Sequence, residues 1–274
     1  MIGNIRKSQH LIYWICGKGC HICRKHIPFL IIPETDEGLG KTERIIAMIT
    51  LSHLTKTYKG KRVVDDLSFT LRKGTLFALL GSNGAGKSTT IKMILGLVRK
   101  DSGEMVIPKG TTIGYSPETP YFPTFLTGLE VLQYYGELQK IPKEELKETC
   151  GRLMELVSLS PDKTKIKVYS KGMLQRLALA QALLGNPQVL ILDEPCAGMD
   201  AMGRIEMIEI IAGLKKQGKT ILMNSHILSD MEKVCDEGII MQQGKVMRTF
   251  TKEEIGEEGS LEDIFVKTIG GSAK

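Results

Sequence analysis

The stretch Gly81–Thr89 reads GSNGAGKST and fits G-x-x-x-x-G-K-[ST], a set of residue types suited to holding a polyphosphate. Gly81, Gly84 and Gly86 leave the backbone free to wrap phosphate oxygens with its N–H groups turned inward, at the positive end of the helix that follows. Ser82, Asn83 and Ala85 fill out the loop and Thr89 closes it. Lys87 is placed to reach the β- and γ-phosphates, and the Ser88 hydroxyl to bind Mg²⁺. A second Gly-Lys-Thr, in GLGKT at 38–42, fails the pattern because its first glycine position is Thr35 and no apolar strand leads into it.

Two other stretches carry groups that could act on a phosphate. VLILDEP, at 189–195, is an apolar run with Asp193 and Glu194 at its carboxyl end, the edge at which open α/β sheets bind ligands. Strand side chains alternate between faces, so the two carboxylates are expected to do different work: Asp193 in the Mg²⁺ shell, Glu194 polarising an attacking water. TILMNSH delivers His226 to the same edge, where it is expected to contact the γ-phosphate and steady both the water and Glu194. A fourth stretch, VYSKGMLQRLALAQALL at 168–184, opens an apolar-rich helix with Ser170, Lys171, Gly172 and Met173. That turn has no nucleophile, acid or metal ligand beside it, and on residue types alone it offers only hydrogen-bond donors.

These residues need elements that bring them to one edge. From Met48, short alternating strands are punctuated by Lys-Gly turns and form an expected antiparallel β portion. From 76 onward, apolar strands and helices take turns: LFALL before a helix over about 87–97, VLILD before one over about 201–216, and TILMNS before one over about 228–234. Continuous apolar strands separated by helices predict a mainly parallel sheet covered on both faces, an α/β fold. Residues 122–184 read as a helical subdomain, with Leu126, Leu129, Leu132, Tyr135 and Leu138 spaced for a core-facing stripe. The end of the chain carries a hairpin-like GIIMQQGKVMRTF and then an acidic, glycine-containing segment.

Composition sets outer limits. The formal net charge is +6, but residues 1–47 hold seven Lys or Arg against four Asp or Glu, leaving only +3 for the rest. That bias is too small to point to nucleic acid as a partner. No apolar run approaches the roughly 20 residues that span a bilayer. Residues 1–47 lack periodicity and read as a disordered extension or a mis-assigned start, and they contain Cys16, Cys20, Cys23 and His26. Those four could hold zinc, yet their spacing matches no established finger, and an unstructured extension is the expectation. Cys150, Cys196 and Cys235 are scattered, which fits a reducing, cytoplasmic setting without a disulfide framework.

Taken together, residues 48–274 resemble the ATP-binding subunit of an ABC transporter, a P-loop NTPase with a helical signature subdomain. The resemblance rests on the Gly81–Thr89 loop, Asp193 and Glu194, His226, and YSKGM followed by Gln175 and Arg176, which is similar to the ABC signature. It implies that two such subunits, copies of this chain or a related pair, meet head to tail. Ser170, Lys171, Gly172 and Met173 of one would then close over the ATP of the other. It also implies adenine stacking on Tyr58, a place for Asp200 of CAGMDAMGR at the dimer seam, and hydrolysis of ATP with Mg²⁺. The chain departs from the family pattern at Lys171, where a glycine is common, and at Glu118, where a glutamine usually ligates Mg²⁺ and senses the membrane partner. Both variants resemble bacterial subunits that power export through a separate ABC-2-type permease, which would place this chain on the inner face of the cell membrane. A soluble ABC ATPase acting on ribosomes or DNA is the alternative. About 80 residues without sustained heptads between Lys87 and Ser170, and a single ATPase unit, weigh against it.

Overall fold

Successive residues of the buried strands pack into two different cores, and this alternation organises the molecule. The computed structural model describes residues 29–30 and 47–270. Strand β4 (Leu76–Gly81) sends Leu76, Ala78 and Leu80 into one core and Phe77 and Leu79 into the other. The same split recurs in β7 (Val189–Asp193), with Leu190 and Leu192 against Val189 and Ile191, and in β8 (Thr220–Asn224), with Ile221 and Met223 against Leu222. A sheet buried on both faces needs apolar side chains at every position, which is why these strands read as unbroken runs.

The remaining strands are β1 (Phe29–Leu30), β2 (Ala47–Tyr58), β3 (Lys61–Arg72), β5 (Ser102–Val106), β6 (Ile113–Ser116), β9 (Glu237–Gln242) and β10 (Lys245–Thr251). The main sheet has the order β1-β6-β7-β8-β4-β9-β10. Its pairings from β6 to β9 are parallel, while β1 and β10 at the two edges run antiparallel to their neighbours. A second, antiparallel sheet has the order β3-β2-β5. The mainly parallel sheet and the antiparallel portion near the start are therefore both present. Apart from Phe29–Leu30, the Cys and His cluster and the rest of residues 1–46 lie outside the described residues.

In β2 the buried positions switch phase, from Ile49 and Leu51 to Leu54, because His53 takes a left-handed φ of 54° and interrupts the register. A one-residue bulge moves every later side chain to the other face. Lys56 and Tyr58, two positions apart, share a face at the end of the strand.

The helices are α1 (Lys87–Ile94), α2 (Gly128–Leu138), α3 (Lys143–Leu156), α4 (Lys171–Ala182), α5 (Ala201–Lys216), α6 (Leu228–Val234), α7 (Lys252–Glu258) and α8 (Leu261–Gly270). α1 stops at Ile94, short of the expected 97, where Leu95 caps it and Gly96 turns the chain at φ 66°. α2 starts after a capping box in which Thr127 and Glu130 satisfy each other's backbone N–H groups. Most of the expected stripe packs on the core, with Leu132 fully buried and Leu126, Leu129 and Tyr135 partly buried against it, whereas Leu138 at its end is 47% exposed. Residues repeating strictly every third position drift by about 60° per step around a helix of 3.6 residues per turn, so the run walks off the core-facing side. Helices α2, α3 and α4 pack together and form the helical subdomain. The acidic end of the chain folds into α7 and α8, with Ile255, Leu261 and Ile264 buried.

Candidate functional site

The phosphate loop joins β4 to α1, and its glycines answer to geometry as well as chemistry. Gly86 sits at φ 105°, and a Cβ there would stand 2.5 Å from the Val63 carbonyl oxygen. Gly81, at φ 152°, leaves room for the Met241 carbonyl, 2.4 Å from where its Cβ would be. Only glycine meets both demands. Lys87, 8% exposed, folds back over the loop and donates from Nζ to the carbonyls of Gly81 at 2.6 Å and Ser82 at 3.3 Å. Burial lowers its pKa, while the carboxylates of Glu194, Asp193 and Glu118 pull it back up. Those three acids therefore act electrostatically on the one cation of the loop. Ser82, Asn83 and Gly84 are exposed, Ser88 and Thr89 half-buried, and Ala85 is packed inside.

Asn224, at the end of β8, bonds to both acidic residues at the end of the neighbouring strand, to the carboxylate of Asp193 and to the backbone of Glu194. Its Nδ2 donates to Asp193 Oδ1 at 2.7 Å, and its Oδ1 accepts the Glu194 N–H at 2.9 Å. Asp193 is 5% exposed and lies within 3.4 Å of the Tyr115 hydroxyl, which donates to Oδ2. Burial raises the Asp193 pKa above the ordinary carboxylate range; the Asn224 hydrogen bond opposes this and the nearby Glu118 adds to it. The same burial and the Asp193 charge push the Tyr115 phenol well above its usual value.

Glu194 lies beyond the strand in a left-handed conformation, φ 52°. Strand alternation thus does not separate it from Asp193; their surroundings do. Backbone strain of this kind in a non-glycine residue costs about 1–3 kcal/mol and persists only where the neighbourhood imposes it. Here the Asn224 side chain and the Asn224 carbonyl, 3.2 Å from the Glu194 N–H, impose it. The result aims the carboxylate at His226: Glu194 Oε2 lies 2.7 Å from His226 Nδ1 and accepts the His226 N–H at 3.3 Å. The Glu194 side chain is 12% exposed and that of His226 65%, so the pair presents a shielded acid behind an open imidazole.

Glu118 is exposed on the loop after β6, and its carbonyl accepts a 2.6 Å hydrogen bond from Gln175 Nε2. Gln175 is 3% exposed and belongs to α4, whose first turn is the Ser-Lys-Gly-Met segment. Ser170 caps that helix, its Oγ accepting the Met173 N–H at 3.2 Å, and remains exposed. The Lys171 stem lies over Gly198, where a Cβ would come within 2.8 Å of its Cδ, and Gly172 faces Met199. Asp200, also exposed, caps α5 by accepting the Gly203 N–H at 2.7 Å. Ser170 and Asp200 therefore stand on adjoining turns.

Tyr58 is 44% exposed at the end of β2. Its strand reaches the phosphate loop through β3: Lys56 pairs with Val64, and the Val63 carbonyl packs on Gly86. Among the described residues, no group of three or more His, Cys, Asp or Glu is set to hold a metal by itself. Ser88, Asp193 and Glu118 supply hard oxygen donors of the kind Mg²⁺ takes alongside substrate phosphates. Sequence reasoning did not single out Tyr115 or Asn224 and gave Gln175 no contact. Each sits inside a motif that was read, within three positions of a residue that was chosen, but its bond crosses to another strand or helix.

Residues 64–197 match the ABC transporter family. The chain is 39% identical over 240 residues to an ABC transporter ATP-binding protein of Nostoc sp., covering 81% of this chain and 72% of that one. It belongs to the ATP-binding proteins of ABC transporters. The Nod factor export ATP-binding protein I of Rhizobium johnstonii is 36% identical over 208 residues, 72% of this chain and 67% of that protein. A solved ATP binding subunit of an ABC transporter superposes with a TM-score of 0.73 at 29% identity, over 81% of this chain and 99% of that one. This ABC ATP-binding protein is accordingly an ATPase with the α/β fold of that family. No helix among its described residues is long and apolar enough to cross a membrane.

Proposed function

We propose that this ABC ATPase powers export through a separate transmembrane permease, working as a head-to-tail pair with itself or a related subunit on the inner face of the membrane. The observation that carries the proposal is the Glu194–His226 pair, set by Asn224 at the edge that also bears Lys87. Export is supported by the likeness to a Nod factor export protein. A permease supplied by another chain agrees with the helices among the described residues, none of which is long and apolar enough to span a bilayer.

In this proposal residues 48–274 form the ATP-binding domain, with its helical subdomain at about 122–184. The Gly81–Thr89 backbone and Lys87 hold the triphosphate, and Tyr58 stacks on adenine. Ser88, Asp193 and Glu118 hold Mg²⁺, which when bound neutralises charge on the β- and γ-phosphates. Glu194 accepts a proton from the attacking water, and His226, hydrogen-bonded to it, keeps that carboxylate aimed. Ser170, Lys171, Gly172 and Met173 of one subunit contact the nucleotide of the other through a helix start at which Ser170 and Lys171 are exposed and Gly172 and Met173 half-buried. Asp200, on the next turn, lies at the seam.

The test is Glu194→Gln. It keeps the shape of the side chain and removes the base, so ATP should stabilise a dimer that turns over at a small fraction of the wild-type rate. Normal hydrolysis by that variant would sink the assignment.

A further inference from the structure

Tyr58 is poorly held for an aromatic side chain that must receive a base. It stands at the last position of β2, beside a turn in which Lys59 and Gly60 both take positive φ, and nearly half of its surface is open. A side chain free to leave its binding rotamer must be ordered when ligand arrives, which weakens binding. The structure places two other residues where they restrain it.

Lys56, two positions earlier on the same face of the strand, carries its ammonium over the Tyr58 ring, 5.4 Å from the centroid. Asp101, on the loop that follows α1, fixes that ammonium and the backbone at once. One carboxylate oxygen accepts from Lys56 Nζ at 2.5 Å, and the other accepts the Thr57 N–H, one residue before Tyr58, at 2.7 Å. The Asp101 N–H in turn donates to the Thr55 carbonyl at 2.9 Å. Lys56 is nearly buried at the side chain, 14% exposed, and the Asp101 carboxyl is held below the usual carboxylate range by its bonds to Lys56 and Thr57. The loop behind the phosphate-binding helix is thus bolted to the end of the strand that offers the ring.

We infer that Lys56 and Asp101 are positioning residues for nucleotide binding: they hold Tyr58 with one face covered by a cation and leave the opposite face as the stacking surface. This rests on the proposal that Tyr58 stacks on adenine. The consequence is selective. The tether acts on the base and leaves the phosphates alone, so its loss weakens binding of a nucleoside triphosphate without weakening binding of a bare triphosphate chain.

The experiment is calorimetric titration of the full-length protein with a non-hydrolysable ATP analogue and, separately, with inorganic tripolyphosphate. Variants are Tyr58→Ala, Lys56→Met, Lys56→Arg and Asp101→Asn. Tyr58→Ala should weaken the analogue on the order of tenfold, the size of one lost base–aromatic stack. Lys56→Met and Asp101→Asn should each weaken it by roughly two- to fivefold, the size of a partly exposed cation–π contact. Lys56→Arg, which keeps a cation for both the ring and the carboxylate, should restore wild-type affinity. Tripolyphosphate should bind all five proteins alike.

Three results would overturn the inference in different ways. If Tyr58→Ala binds the analogue normally, the stacking role of Tyr58 falls and the tether with it. If Tyr58→Ala is weakened but Lys56→Met and Asp101→Asn are not, Tyr58 stacks unaided and only the tether is lost. If those two variants weaken tripolyphosphate as much as the analogue, the pair supports the phosphate loop instead of the ring.

Discussion

At the scale of single residues, the site separates two adjacent carboxylates by giving them different surroundings. Asp193 is buried against Asn224 and Tyr115, while Glu194 is turned out by a left-handed backbone toward His226. The cost falls on Asp193. Its folded pKa is raised, so the charged form is penalised at neutral pH, and the penalty disappears as pH falls toward the ordinary carboxylate value. Asp193→Asn removes the charge while its amide oxygen can still accept from Asn224. Lys87 keeps Glu194 and Glu118 as carboxylate neighbours in that variant. The nucleotide-free variant should therefore equal or exceed wild type in stability at pH 7, by up to about 2 kcal/mol, as buried charges replaced by neutral groups often do. Urea denaturation at a series of pH values should show the two proteins converging toward pH 4, and the variant should lose turnover. A variant less stable than wild type at pH 7 and level with it at pH 4 would reverse the sign assigned to Asp193. Asn224→Ala releases both carboxylates together, and steady-state assays should show kcat falling by one to two orders of magnitude. A variant with wild-type kcat would show that Asn224 does not set them.

At the scale of elements, what could be read in advance follows the kind of signal each element leaves. β4, β7 and β8 were legible because a strand buried on both faces has no choice but an unbroken apolar run, and the phosphate loop because glycine spacing and the cation that follows are fixed by close backbone contacts. The phase switch at His53 was hidden, since a bulge is a matter of one φ angle and leaves the composition of β2 unchanged. Likewise the stripe on α2 was assigned to the core by its regular spacing, although Leu138 ends in solvent. The bond from Gln175 to the Glu118 carbonyl joins residues 57 positions apart and has no sequence mark. That bond makes α4 a lever between the loop carrying Glu118 and the turn carrying Ser170, and the next residue, Arg176, anchors the same helix to the Val157 carbonyl and to Glu206. Gln175 Oε1 is buried without a donor, so replacing the amide by a similar apolar shape removes one good bond and one orphaned acceptor together. Gln175→Leu should accordingly leave the urea midpoint within about 1 kcal/mol of wild type. Turnover should fall several-fold with ATP affinity of the isolated subunit unchanged. Unaltered turnover in a folded variant would show that the lever transmits nothing.

At the scale of the whole molecule, the two helix starts proposed to meet phosphate belong to different parts of the fold. α1 begins at the carboxyl edge of the parallel sheet, behind Gly86, and α4 begins at the exposed Ser170 in the helical subdomain. The second has no acid, base or metal ligand of its own, as expected of a surface that completes a site built elsewhere, and the exposed Asp200 beside it widens that surface. In a two-fold pair that swaps these halves, each composite site takes its phosphate loop from one copy and its signature turn from the other. Two inactive variants then become complementary. A copy with Lys87→Ala and a copy with Ser170→Arg are each dead as homodimers, because both sites carry the same defect. In a mixed dimer both defects fall in one site, and the other is intact. With equal amounts and random pairing, half of the dimers are mixed and one site in two is restored, so the mixture should recover about a quarter of wild-type turnover if the sites act independently. The two variants are to be mixed before nucleotide is added and assayed over a range of ratios, with recovery greatest at equal amounts. A mixture no more active than its parents, with mixed dimers verified by differential tagging, would count against sites shared between copies in which one intact site suffices.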